Sequence, residues 1–163
     1  MVVIQSLCTD DFVDDVINEY LSMVFRLALA HMKNKHDAED ITQEVFLRYI
    51  SKSRTFTSEE HRRNWLIRVT INRCNSLWSA WFRKTEPLSE SLVFEEKEHN
   101  DLFEYISLLP HKYRTVIHLF YCEGLSIKQI SDALGAKEST VRTWLTRARA
   151  ILREKLKGEF FNE

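Results

Sequence analysis

The stretch from Gly124 to Arg149, GLSIKQISDALGAKESTVRTWLTRAR, decides the fold of the C-terminal part of this chain. It predicts two short helices joined by a tight turn. Ser126 and Gln129 form an S-x-x-Q capping box for the first helix, and Gly135 permits the turn. The second helix is rich in Arg, Ser and Thr. This layout is typical of a helix-turn-helix, whose second helix enters the major groove of DNA.

The outward face of that second helix carries the side chains that we expect to contact DNA. Arginine forms bidentate hydrogen bonds with guanine edges, and serine and threonine reach bases or phosphates. The candidates are Glu138, Ser139, Thr140, Arg142, Thr143 and Arg147. The alternative is that these side chains are only the solvated face of a helical hairpin.

The chain has 163 residues and a net charge of −1, but its charges are unevenly distributed. Residues 137–157 and residues 54–84 each hold seven basic and two acidic side chains, so each segment carries +5 and the rest carries −11. Two basic segments in an acidic body predict local phosphate contacts, weak general affinity for DNA and a partner that holds the protein on DNA. The upstream segment is also rich in Trp and Phe, which favours stacking on single-stranded bases.

Hydrophobic periodicity predicts an all-α protein with two small helical domains, an N-terminal helical bundle and a C-terminal helix-turn-helix domain joined by a flexible linker. Only three glycines and two prolines interrupt the chain. We expect Asp37 and Ser58 to be N-caps of the second and third helices. The predicted helices cover residues 11–32, 37–53, 59–82, 100–109, 110–123, 126–134 and 138–157. The predicted domains are residues 1–82 and 100–163, with the linker at residues 83–99.

The linker is long enough to let both domains act on one DNA molecule. Its 17 residues extend at most roughly 56 Å at about 3.3 Å each. Two DNA elements about 16 base pairs apart are separated by roughly 54 Å. The linker and the domain widths together bridge such a distance.

Several classes of protein are excluded by the sequence. No apolar run approaches the roughly 20 residues of a membrane span, and the N-terminus does not resemble a signal peptide. Cys8, Cys74 and Cys122 are odd in number and far apart, which indicates reduced cytosolic thiols and a cytoplasmic location. We expect no metal site, because the acidic cluster at residues 37–44 is not paired with His or Cys at ligand spacing.

Two segments resemble a known family. LLPHKYRTVIHLFYCEGLSIKQISDALGAKESTVRTWLTRARAILREKL resembles region 4 of bacterial RNA polymerase sigma factors, and DAEDITQEVFLRYI, from Asp37 to Ile50, resembles region 2. The size of the chain and the short distance between the two segments are similar to the extracytoplasmic-function (ECF) group. The resemblance covers most of residues 10–157. Three positions depart from the family pattern, namely Ser76, Lys137 and Trp144.

The resemblance implies a role for each segment. In region 2, it implies a face that binds core polymerase, formed by Asp37, Asp40, Gln43, Glu44, Val45 and Phe46. It also implies a part that opens and reads the minus-ten element, formed by Phe56, Arg62, Arg63, Trp65, Arg68, Asn72 and Arg73. Region 4 would read the minus-thirty-five element with the candidates on the second helix of the helix-turn-helix.

The function that follows is that of a sigma factor, which directs core polymerase to promoters and performs no bond chemistry of its own. The implied partners are core RNA polymerase, promoter DNA in double-stranded and melted form, and an anti-sigma factor; no cofactor and no membrane insertion are implied. One alternative is a stand-alone helix-turn-helix regulator that binds duplex operators without polymerase. A hydrolase that uses the scattered histidines is disfavoured, because no nucleophile motif or glycine-rich phosphate loop is present.

Overall fold

The computed structural model describes residues 2–51, 56–84 and 101–160, and within these ranges the side chains of all residues except 2–11, 82, 84, 101–103, 159 and 160. All regular structure in these residues is helical, as predicted. The helices are α1 Val2–Met32, α2 Lys35–Ser51, α3 Glu59–Lys84, α4 Asp101–Ser107, α5 His111–Ile117, α6 Ile127–Leu134 and α7 Glu138–Phe160. A π-helical turn, His118–Cys122, follows α5 directly. None of the described helices is long and apolar enough to span a bilayer.

The beginning of α2 differs from the prediction. Lys33 has a φ of 58°, in the left-handed region, and the chain turns there after the end of α1. The side-chain oxygen of Asn34 then accepts hydrogen bonds from the backbone N–H groups of His36 (2.8 Å) and Asp37 (3.3 Å). Asn34 is therefore the cap and α2 begins at Lys35, so the prediction of Asp37 as N-cap is wrong. The cap at the start of α3 is confirmed, because Ser58 Oγ accepts from the N–H of His61 at 3.1 Å.

The first half of the molecule, residues 2–84, is a bundle of three helices. Helix α1 packs on α2 and α3. Its core is formed by fully buried side chains that include Leu27, Ile41 and Leu66. Leu47 and Ile50, two apolar residues of α2, lie outside this core and are 65% and 52% exposed.

The second half, residues 101–160, is built around the helix-turn-helix. Helix α7 packs on α5 and α6, and the fully buried side chains include Leu119, Ile130 and Leu145. The predicted linker, residues 83–99, lies outside the described residues from residue 85 onward.

The two halves are in direct contact. Helix α1 packs against α5, and α3 packs against α6. The buried apolar side chains of both halves form one continuous cluster. The helix-turn-helix therefore lies against the first bundle in this structure.

Candidate nucleic-acid interface

The turn of the helix-turn-helix is held by local hydrogen bonds. Both bonds of the predicted capping box between Ser126 and Gln129 are present, at 2.9 and 3.1 Å. Gly135 ends α6 in the left-handed region with φ 66° and ψ 27°. Ser131 Oγ donates to the carbonyl of Ala136 at 2.5 Å across the turn. These bonds fix the direction in which α7 leaves the turn.

Helix α7 begins at Glu138, and its outward face is accessible. Ser139, Arg142, Thr143 and Arg147 are exposed, while Glu138 and Thr140 are partly exposed. Arg142 Nη2 pairs with Glu138 one turn earlier, at 3.1 Å. Thr143 Oγ1 donates to the carbonyl of Ser139 at 2.9 Å. The structure thus brings all six candidates together on one solvent-facing surface, with Val141 and Leu145 buried on the opposite side.

Two departures from the family pattern have a structural outcome in α7. Lys137 takes the position before the helix, and the N–H of Val141 bonds to its carbonyl at 3.1 Å, so α7 begins at Glu138. Trp144 is half-buried and packs against the hydrophobic core. The residues of the outward face therefore follow the regular spacing of an α-helix that begins at Glu138.

Arg149 on α7 has defined side-chain contacts and was not among the residues that we expected to contact DNA. Its Nε donates to the hydroxyl of Tyr121 at 2.8 Å. Its guanidinium lies over the rings of Phe120 and Tyr121, at 5.5 and 5.6 Å from their centroids. The π-helical turn brings these two rings beside α7, and no local sequence pattern predicts such a turn.

An aromatic cluster lies where α2 and α3 approach each other. Phe56 stacks on Tyr49, with centroids 5.8 Å apart and planes at 12°. The edges of Trp65 and His61 meet Phe56 at 5.8 and 5.3 Å. Arg62 lies over Phe56 at 5.4 Å. Two of the predicted minus-ten residues, Phe56 and Trp65, are thus in contact with each other.

Arg62 is almost entirely buried, with 7% of its surface exposed. It forms an ion pair with Glu59, and Glu59 also accepts a hydrogen bond of 2.9 Å from the hydroxyl of Tyr20. Burial and this bond raise the pKa of Tyr20 to about 12. The bonds from Arg62 and Tyr20 lower the pKa of the Glu59 carboxyl. Arg62 therefore supports the aromatic cluster from inside the bundle.

The other predicted minus-ten residues lie along α3. Arg63 is partly buried, whereas Arg68 and Asn72 are exposed. Arg68 donates to two carbonyls of α6, those of Asp132 at 3.1 Å and Ala133 at 3.3 Å. Arg73 Nε contacts Glu44 at 2.5 Å. Both arginines thus have protein partners in this structure.

The acidic face of α2 contains most, but not all, of the predicted polymerase-binding residues. Asp40 and Gln43 are exposed, and Asp37 and Glu44 are partly exposed. Two further members lie in the core: Val45 is 0% and Phe46 is 6% exposed. Their side chains stabilise the bundle and do not face a partner here. The exposed apolar residues Leu47 and Ile50 lie on the same helix.

A histidine does accompany this acidic face, contrary to our expectation. His36 Nδ1 lies 3.3 Å from Asp40, at i,i+4 spacing. The ligand atoms of His36, Asp37 and Asp40 lie within 4.8 Å of one another. The side chains of His36 and Asp40 are 81% and 64% exposed. We assign these three side chains to the solvated polar surface of the first turns of α2.

Comparison with known proteins identifies the family. The model for sigma-70 region 2 matches residues 16–83, and that for sigma-70 region 4 matches residues 99–152. The RNA polymerase sigma-E factor of Streptomyces coelicolor is 34% identical over 129 residues, which cover 74% of this chain and 72% of that protein. This chain belongs to the sigma-70 family. The ECF RNA polymerase sigma factor SigW of Bacillus subtilis is 29% identical, and the match covers 88% of each protein.

A solved structure agrees with this assignment at the level of the fold. It is the sigma factor RpoE from Bartonella quintana, in complex with the anti-sigma factor NepR, with a TM-score of 0.77 and 21% identity over 90% of this chain and 97% of that one. The two matched regions lie on the two halves described above. The chain is thus a sigma factor of the ECF group, which directs RNA polymerase to promoters.

Proposed function

We propose that this sigma factor divides promoter recognition between its two halves, and that α7 reads duplex DNA at the minus-thirty-five element. The observation that carries this proposal is the exposed face of α7, on which Arg142 and Arg147 reach solvent while Val141 and Leu145 are buried. A guanidinium at such a position is able to bond to guanine edges. Glu138, paired with Arg142, orients that guanidinium before DNA is bound.

The aromatic cluster of the first half is the proposed site for melted minus-ten DNA. Base stacking on aromatic or guanidinium planes contributes about 1–3 kcal/mol per base. Within the basic segment of residues 54–84, Phe56 and Trp65 supply aromatic planes and the exposed Arg68 of α3 supplies a guanidinium plane. We assign Arg62 to support of this cluster, since it is buried.

The acidic face of α2 is the proposed contact with core polymerase. The partly exposed carboxylate of Asp37 and the exposed one of Asp40 share α2 with the exposed apolar groups Leu47 and Ile50. Such a surface suits a basic, amphipathic partner. Val45 and Phe46 act there through the packing of α2. An anti-sigma factor is a further proposed partner, and the proposed location is the cytoplasm. We assign no enzymatic activity to the chain.

Run-off transcription with purified core polymerase and a promoter library tests the proposal. The full chain should yield specific transcripts, and Arg142→Ala or Arg147→Ala should lower promoter affinity about 5- to 160-fold, since a good base contact is worth about 1–3 kcal/mol. Lys112→Ala, an exposed lysine on α5, is the control and should change little.

Two results would contradict the proposal. One is the absence of transcripts from every sequence in the library. The other is tight binding of a duplex operator by the free chain in a gel shift without core enzyme, which would indicate a stand-alone regulator.

A further inference from the structure

A cavity of about 230 Å³ lies between α1, α4, α5 and the π-helical turn. Its walls are mainly apolar and include Leu29 of α1, Ile106 of α4 and Ile117 of α5. An apolar cavity of about 150 Å³ in a protein interior is large enough to bind benzene. The cavity in this chain is larger, so it has room for a small organic molecule. None of the residues that line it is a proposed contact of DNA or polymerase.

The lining of the cavity extends from the surface into the interior. Arg26 and Cys122 are exposed, whereas Ile117 and His118 are buried. A molecule can therefore enter beside Arg26 and Cys122 and reach the buried part of the cavity. Cys122 is a free thiol, so a change in its accessibility reports on occupation of the cavity.

Two arginines line the cavity, and the charge of the outer one is compensated. Arg26 forms a bidentate ion pair with Glu123, with both N···O distances at 3.1 Å. His118 Nε2 also lies 3.2 Å from the same carboxylate. The polar groups at the entrance are therefore already paired with one another.

The inner arginine, Arg114, lies at the wall of the cavity and is only 4% exposed. Its Nη1 donates to the carbonyls of Ala30 and His31 at 3.1 Å each, and its Nη2 donates to the carbonyl of Leu109 at 2.8 Å. Within residues 2–51, 56–84 and 101–160, its Nε has no hydrogen-bond partner and no carboxylate pairs with the guanidinium.

Such a group favours an anionic ligand. Burial lowers the pKa of Arg114 to about 10, so the guanidinium remains charged at neutral pH. A buried cation without an opposite charge is unfavourable, and a buried N–H without an acceptor adds to that cost. A carboxylate placed beside Arg114 would supply both the opposite charge and the missing acceptor.

We propose that this cavity is a binding site for a small apolar molecule that carries one carboxylate, such as a short fatty acid. The carboxylate lies beside Arg114 and accepts from its Nε, and the hydrocarbon part packs against Leu29, Ile106 and Ile117. A lipid with two long chains does not fit, because the volume is near that of a single small ligand.

Thermal unfolding of the full chain with octanoate, octan-1-ol or octylammonium as the probe tests the ligand class. Octanoate should raise the melting temperature in a saturable manner, since a ligand that binds only the folded state stabilises it. Octan-1-ol should bind about tenfold more weakly or less, because it lacks the charged acceptor. Octylammonium should give no stabilisation, because it places a second positive charge beside Arg114.

Alkylation of Cys122 by N-ethylmaleimide, followed by mass spectrometry of its peptide, tests the location. At octanoate concentrations ten times the dissociation constant, the rate should fall about tenfold, since only the free fraction reacts. Ile106→Trp fills the cavity and should abolish both this protection and the thermal stabilisation. Ile17→Trp is the matched control, because Ile17 is also partly buried against the core but does not line the cavity.

Each contrary result overturns a stated part of the proposal. Absence of saturable stabilisation by octanoate would overturn the site itself. Equal affinity for octanoate and octan-1-ol would overturn the role of Arg114. Stabilisation without protection of Cys122, or full binding by a folded Ile106→Trp variant, would place the ligand elsewhere and overturn the assignment to this cavity. Neither measurement contains DNA or polymerase, so the result is independent of the proposed promoter contacts.

Discussion

His31 is a buried histidine whose pKa in the folded protein is lower than in the unfolded chain. It is 1% exposed, at the end of α1 beneath the second half. Burial is the main cause that lowers its pKa to about 3, and neighbouring His111, Arg114 and His118 lower it further. The folded protein therefore holds a neutral imidazole, which bonds to the hydroxyl of Thr115.

This lowered pKa predicts how stability depends on pH. Between pH 6.5 and about pH 3, the unfolded chain binds a proton at His31 that the folded chain does not bind. The stabilisation is complete above pH 6.5, and the free energy of unfolding then falls as the pH falls, by up to about 1.4 kcal/mol per unit from this residue. We expect His31→Gln to destabilise the chain at pH 7.5, and the deficit to shrink by about 1.4 kcal/mol at pH 5.5.

Urea denaturation of both proteins at the two pH values, followed by circular dichroism, measures this difference. Other groups that titrate are common to the wild type and the variant and therefore cancel in the comparison. A deficit that stays constant with pH would show that His31 is protonated in the folded state.

At the scale of the elements, local signals predicted the structure where a few neighbouring residues determine it. The Ser126 and Gln129 capping box and the Ser58 cap were readable because donor and acceptor lie within three positions. The cap of α2 was misplaced because Asn34 and Asp37 are both good capping residues. The choice between them depends on the backbone turn at Lys33, which has a positive φ. The π-helical turn had no sequence signal at all.

Gly135 provides a test of the turn in the helix-turn-helix. Its φ is 66°, and a Cβ added there would meet nothing within 4 Å, so the cost of a side chain comes from the backbone conformation alone. We expect Gly135→Ala to destabilise the protein by about 1 kcal/mol. Gly158→Ala is the matched control, since Gly158 lies in α7, also has open space around it and should gain slightly from the helix propensity of alanine.

Thermal unfolding monitored by circular dichroism compares the two glycine variants. The melting temperature should fall for Gly135→Ala and stay equal or rise for Gly158→Ala. Equal effects of both substitutions would mean that the turn does not require the left-handed conformation.

At the scale of the whole molecule, sequence patterns identified the two halves but not their contact. The side chains that contact each other between the two halves are 33 to 97 positions apart, beyond the range of any periodicity. Arg114 belongs to no recognisable motif. Its acceptors are backbone carbonyls, which every residue has, so the sequence does not indicate its partners. Val45 and Phe46 were wrongly expected on the polymerase-binding face, because the family resemblance identifies a segment and not the direction of each side chain. The packing of α2 in the bundle buries these two side chains.

The distribution of charge over the whole molecule predicts how DNA binding responds to salt. The net charge of −1 with two segments of +5 should leave the free chain with weak affinity for random duplex DNA, and this affinity should largely disappear between 50 and 200 mM salt. Fluorescence anisotropy with a labelled duplex measures this affinity.

In the complex of core polymerase, sigma factor and promoter, Arg147→Ala should reduce the slope of log K against log salt by about 0.9 if its charge acts on one phosphate. Arg147 is exposed on α7, so its charge is available to DNA. The control Lys112→Ala should leave the slope unchanged, and an equal loss in both variants would indicate a diffuse effect of net charge without a specific contact of α7.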